Sequence, residues 1–318
     1  MRKVFALFAV LCLLLLCAFP AAGEETVVIT DRAGLEAIAE NPSGSYRLEA
    51  DIDLAGEDWQ PFAFSGTLEG NGHALLNLHV TEVGSEMRET KDGNYKHYET
   101  SFAGLFSVME NAFLRDLTVK NAIMEVESDT DCFIAGLAGY AENCEIMNCS
   151  VSGRFTLTLT GGVNIGAGGL AGYMDSCTVE DCAADVELII ADMDTETVSE
   201  EFAGGLYASG RGKIRNCTVK TRIWASVHGY VHNGGCAGMA FWVHRKDDYK
   251  QHIYNTVSDT GIVFFEDSPS KRSYADAFVG ENLGSNCRLS GNKKKHFSSE
   301  KVRSYDTLLL PGAPYEMR

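Results

Sequence analysis

Ala135-Gly136-Leu137-Ala138-Gly139, followed by Asn148-Cys149-Ser150-Val151, is the stretch that decides the fold. Its first half returns as Ala103-Gly104-Leu105, Gly168-Gly169-Leu170-Ala171-Gly172, Gly204-Gly205-Leu206 and Ala237-Gly238-Met239. The second-position glycines stand 32, 33, 36 and 33 residues apart. A fixed period of this size marks repeated supersecondary units. The second half keeps step with the first. Thirteen residues after Gly104, Gly136 and Gly169 come Leu117, Cys149 and Cys182, and twelve after Gly205 comes Cys217. Asp116, Asp181 and Asn216 precede three of these anchors as Asn148 precedes Cys149, and a weaker copy, Asn255-Thr256-Val257, follows the insertion Val243 to His252.

A third, strand-like stretch completes each unit, as in Phe155-Thr156-Leu157-Thr158-Leu159 and Val186-Glu187-Leu188-Ile189-Ile190. Alternating apolar residues with Gly, Thr and Val between turn residues read as short strands. Ankyrin and tetratricopeptide units would need two amphipathic helices per period, and leucine-rich repeats are shorter, ~20–29 residues. Three strands and three turns per unit predict an all-β, right-handed parallel β-helix of about six coils. The coils stack at the inter-strand distance, ~4.8 Å. The hand follows from the bias of parallel crossovers.

Working outward, residues 24–45 predict an N-terminal cap, with a strand from Thr26 and a short helix started by Asp31. The β-helix is expected over 46–297, beginning with an atypical coil from Tyr46 to Val80, and 298–318 form a C-terminal cap or tail. The polar stretch Glu82 to Thr100 reads as a loop projecting from the stack. Residues 1–23 carry a secretory signal: Arg2 and Lys3, an apolar run from Val4 to Phe19, and Pro20-Ala21-Ala22-Gly23. Leu16 stands where lipid attachment at Cys17 would need a small residue. The chain is thus expected to be secreted or held at the cell surface, with no membrane insertion once the signal is removed.

The net charge is −17, and −19 without Arg2 and Lys3. That excludes nucleic acid and anionic membrane as expected partners, since both need positive surface.

These residues resemble the GLUG-motif family of bacterial extracellular, adhesin-like repeat proteins. Gly168-Gly169-Leu170-Ala171-Gly172, Ala135-Gly136-Leu137-Ala138-Gly139 and the Asn-Cys anchors carry the likeness. The resemblance extends from Tyr46 to Gly284 and implies architecture rather than activity, because the family is not defined by catalytic residues.

Cys149, Cys182 and Cys217 share one coil position, Cys144 and Cys177 another. Buried core filling is favoured over disulfides, because the first column leaves an unpaired third thiol. The Asn and Asp residues before the anchors read as a stabilising ladder. His228, His232 and Cys236 stand at helical spacing in strand-like sequence, so they do not share a face, and Asp192, Asp194, Glu196, Glu200 and Glu201 read as a solvated acidic loop. No metal and no cofactor is expected.

Four residues after the repeat glycines come Tyr140, Tyr173, Ser209 and Trp242. Tyr140, Tyr173 and Trp242 form either an outward aromatic column able to meet a ligand or a packed corner. No carboxylate column, nucleophile elbow or metalloprotease motif is found, so no catalytic residue is assigned. The reading is a non-enzymatic binding or adhesion module for glycan or protein. The alternatives are a carbohydrate-active β-helix enzyme and a structural spacer.

Overall fold

The computed structural model describes residues 25–92, 95–193, 198–240, 252–266, 273–282 and 287–302. Residues 1–23, expected as a secretory signal, lie outside them. The chain is an all-β parallel solenoid of about five turns. Among the described residues the strands fall into three sheets of fourteen, nine and seven strands, and successive coils pair in parallel.

In the coil built around Gly136, Ala138–Glu142 and Glu145–Met147 enter the first sheet. Ser150–Leu159 enters the second and Asn164–Gly168 the third. Side chains alternate in and out along each strand, as the pleat dictates. Inward residues stack on their equivalents above and below. One column runs Leu68, Leu114, Ile146, Val179, Ile214 and Ile253, each a register partner of the next and each at most 1% exposed. Each such side chain contributes about 1.5–3 kcal/mol by leaving water.

The repeated Gly-Leu turn is a hydrogen-bonded ladder in its own right. Gly136 N–H donates to Gly169 O (3.0 Å), Leu137 N–H to Leu170 O (3.2 Å) and Leu170 N–H to Leu206 O (2.8 Å). The Asn or Asp before each anchor turns the chain in the left-handed region. Asp116, Asn148, Asp181, Asn216 and Asn255 have φ between 50° and 56°. Asn and Asp visit that region more readily than other residues with a side chain. The expected side-chain ladder is partial: Asn148 Nδ2 donates to Asp116 Oδ1 (2.6 Å), and Asn255 Nδ2 to Asn216 Oδ1 (3.4 Å).

The corner also orients the cysteines. Cys144, Cys149, Cys177, Cys182 and Cys217 each follow a left-handed or turn residue and point into the core, at most 2% exposed. All eight described cysteines are buried, and none is paired in a disulfide among the described residues.

The helix Arg32–Glu36 covers the first coil, with Asp31 Oδ1 accepting from Gly34 N–H (2.8 Å) and Leu35 and Ile38 fully buried. The segment expected as a projecting loop is instead a hairpin. Arg88–Asp92 pairs antiparallel with Tyr95–Ala103 and ends the third sheet on its N-terminal side. Its polar composition hid a strand, because an edge strand needs no apolar face. The last strand among the described residues, Lys293–Val302, spans the expected boundary at 297. No helix among the described residues is long and apolar enough to cross a membrane.

Candidate functional site

The outward faces of two strand rows meet across the Gly-Leu turn. From the third sheet come Phe102, Phe133, Gly166, Phe202, His232 and Tyr274, successive register partners. From the first sheet come Val108, Tyr140, Tyr173, Ser209 and Met239. Together they close a second apolar cluster outside the main core. Two features let the sheets come this close. A Cβ on Gly139 would lie 2.6 Å from both Ala103 N and Phe102 Cβ, so no side chain fits there. At Gly166 the missing side chain leaves room for the Phe133 ring, whose Cδ1 would lie 2.3 Å from an added Cβ.

The rings pack in order. Tyr140 and Tyr173 stack at 5.4 Å, Phe102 meets Tyr140 edge-on at 5.3 Å, and Phe133 meets Tyr173 edge-on at 5.8 Å. Phe133 reaches over Gly166 to stack on Phe202 at 6.1 Å, and Phe202, His232 and Tyr274 continue the stack at 5.0 and 5.6 Å.

The structure therefore places Tyr140 and Tyr173 in a packed corner, 6% and 3% exposed, so neither offers an open ring face. Trp242 and the insertion up to Gln251 lie outside the described residues. His232 belongs to this corner while Cys236 points into the main core, so the two stand on opposite faces. Asp192 and Glu201, expected in a solvated loop, are buried at 2% and 0%. Asp192 accepts a hydrogen bond from Ser199 Oγ (2.5 Å). Glu201 points into the solenoid, where burial pushes its carboxyl well above the usual carboxylate range.

What does reach the surface is a row beside the tyrosines. Six residues after the first four repeat glycines come Glu110, Glu142, Asp175 and Arg211. Glu110, Glu142 and Asp175 are register partners in adjacent coils, so the carboxylates follow one another at the strand spacing, ~4.8 Å. Arg88 from the hairpin donates Nε–H to Glu110 Oε1 (2.7 Å), with side chains 33% and 36% exposed. Tyr140 OH donates to Glu142 Oε2 (2.8 Å). Arg211 pairs with Asp175, which also accepts from Ser176 Oγ (2.7 Å). Burial first, and the Glu142 acceptor second, raise the Tyr140 phenol far above its usual value, so it stays a proton-bearing donor.

The result is a strip of three carboxylates with a guanidinium at each end, rising from an aromatic base. Its chemistry is that of hydrogen-bond and charge recognition: half-exposed acceptors in a line, held by donors of the chain's own. The sequence signal was present, an acid at one fixed offset from three consecutive glycines.

A comparison with family models matches residues 134–158 to the GLUG motif. The chain carries a GLUG motif. The matched segment is one coil's worth of the repeat, from Ile134 through the Gly-Leu turn and the Asn-Cys corner to Thr158, and the other GLUG-like coils repeat its geometry. No curated protein matches the chain. Among solved structures, an IgA1 protease is similar over 90% of this chain and 21% of its own, at 16% identity and a TM-score of 0.54. The chain thus spans about a fifth of that protease, and the likeness is one of fold. A Bacteroides ovatus protein provisionally named an immunoglobulin A1 protease is similar over 89% of this chain and 85% of its own, at 14% identity and a TM-score of 0.39.

Proposed function

We propose that this GLUG solenoid is an exported, non-catalytic binding module that engages a glycan or protein along the strip Glu110, Glu142 and Asp175. The observation that supports this most is the pairing within the strip. Each carboxylate already accepts a hydrogen bond from Arg88, Tyr140 or Arg211. An acid catalyst needs a loaded proton aimed at a leaving group. A recognition strip needs fixed, half-exposed acceptors, and the Arg clamps supply the fixing. The burial of Tyr140 and Tyr173 moves the proposed contact from ring faces to these polar groups. Export is supported by the residues of the N-terminal segment, and the −17 net charge argues against nucleic acid.

The test is a glycan array together with a panel of extracellular glycoproteins, immunoglobulin A1 included, probed with residues 24–318 and with the triple variant Glu110→Gln, Glu142→Gln, Asp175→Asn. A ligand whose affinity falls at least tenfold in the variant supports the assignment. Binding that ignores the variant moves the site elsewhere. Release of reducing ends or unsaturated products from a polysaccharide, or of fragments from a glycoprotein, would replace the module reading with an enzyme.

A further inference from the structure

The apolar column of the first sheet has two unfinished ends. At the N-terminal end, Val27 in the strand Val27–Ile29 is the register partner of Tyr46, which continues to Leu68 and so down the column. At the C-terminal end, Leu289 in the strand Arg288–Ser290 is the register partner of Ile253. Every member between is at most 4% exposed, whereas Val27 is 49% and Leu289 46% exposed. Each terminal strand is three residues long, and each pairs in parallel with one neighbour among the described residues.

The two ends also carry opposite charge. Residues 25–58 hold nine acids (Glu25, Asp31, Glu36, Glu40, Glu49, Asp51, Asp53, Glu57 and Asp58) against Arg32 and Arg47. All nine acids are exposed. Residues 287–302 hold Arg288, Lys293, Lys294, Lys295 and Lys301 against Glu300, again all exposed. In a chain of net charge −17 this is the basic pole.

We propose that copies of this chain associate head to tail, the strand Arg288–Ser290 of one copy pairing in parallel with Val27–Ile29 of the next. Leu289 then meets Val27 and the column runs on without a break. A bare strand edge is a template for another strand. The opposite poles choose which one: head-to-head and tail-to-tail contacts set like charges together, head-to-tail contacts set unlike ones. The contact uses a different patch on each partner, and because it continues the stack along the coil axis it builds open rods rather than rings.

Val27→Lys and Leu289→Lys test this, since both residues are about half exposed and stand at the ends of the stack. Residues 24–318 are examined by sedimentation velocity and light scattering over a range of concentration and salt. Wild type is expected to form a concentration-dependent ladder of species. Raising salt from ~0.1 to ~1 M shortens the Debye length from ~10 to ~3 Å and should weaken association at least tenfold. Each single variant should be monomeric. A one-to-one mixture of the two should give dimers and nothing larger, because only one productive pair of ends remains. Wild type that stays monomeric, variants that associate like wild type, or a single variant that still dimerises would overturn the proposal. So would association that appears only after residues 303–318 are removed, which would assign the tail end to the chain's own terminus.

Discussion

Tyr140 and Tyr173 lie in adjacent coils with ring centroids 5.4 Å apart and planes within 1° of parallel, and the Tyr140 hydroxyl donates a hydrogen bond to Glu142 Oε2 at 2.8 Å. The pair joins packing to the surface strip, so the two contributions separate by mutation. Tyr140→Ala should destabilise the chain by about 3–5 kcal/mol, as loss of a buried aromatic does. Tyr140→Phe keeps the ring, removes one hydrogen bond to a charged acceptor, and should lose only about 1.5–3 kcal/mol. Urea denaturation followed by circular dichroism distinguishes them, and equal losses would show that the ring is not the larger part.

Glu201 offers a pH test. It is fully buried, and burial is the first cause of its raised pKa; the Asn233 amide partly opposes the shift. With that amide turned to face the carboxyl, Nδ2 lies 2.9 Å from Oε1. The folded chain therefore keeps a proton that the unfolded chain releases near the ordinary value of 4.5. The stability Glu201 permits is fully present below that pH. Above it, stability falls by about 1.4 kcal/mol per pH unit, until the pH reaches the raised folded value. Glu201→Gln should accordingly raise the melting temperature at pH 7 and change it little at pH 4. A variant equally affected at both would mean that the carboxyl is ionised in the fold.

Gly139 should not accept a methyl group. An alanine Cβ would sit 2.6 Å from backbone Ala103 N, which cannot move aside as a side-chain tip can. Gly139→Ala is expected to destabilise by about 1–3 kcal/mol through overpacking. At Gly261 the nearest atom is Arg222 Cδ, 3.1 Å away on a flexible side chain, so Gly261→Ala serves as the mild control. Thermal melts of the two variants side by side check this, and a harmless Gly139→Ala would mean that the two sheets part easily at this corner.

Asn216 tests the left-handed corner. Its φ is 56°. Asn216→Gly should be tolerated, whereas Asn216→Val should lose about 1–3 kcal/mol, because a β-branched residue is a steric outlier there. Equal stability of the two by urea titration would remove the conformational explanation for the repeated Asn.

The thiols predict a labelling pattern. Burial pushes the Cys132 thiol up to about 12, and the Cys149 contact helps raise Cys182 to about 12. A short maleimide pulse should label none of the eight in the native chain and all of them in denaturant. Fewer than eight labels after unfolding would reveal disulfides.

Much of this architecture is legible before any coordinates. The step from Gly136 to Cys149, repeated from Gly169 to Cys182, fixes two corners of each coil, and the residue before each anchor names the left-handed turn. The packing outside the coil is another matter. Period-two alternation says that Tyr140 and Phe133 face away from the main core, but not that another sheet's outward face closes over them. That closure depends on the absence of a side chain at Gly139, a distance between sheets rather than a pattern within one strand. The acidic row was written at a fixed offset from the glycines, and its meaning became visible only when the register set Glu110, Glu142 and Asp175 in line. The hairpin Arg88–Ala103 was hidden for the opposite reason, since an edge strand carries no apolar alternation to betray it.

Gly166 makes the coils unequal partners. Because Phe133 rests over it and stacks on Phe202, the coil of Gly166 is a spacer that its two neighbours bridge. Removing that coil alone would bring Phe133 and Phe202 into direct register with no gap between them. Duplicating it would leave an empty notch. The backbone of this rod is modular by one coil, but its aromatic spine is not, so a grafted or shortened version must be cut in blocks that keep Phe133, Gly166 and Phe202 together.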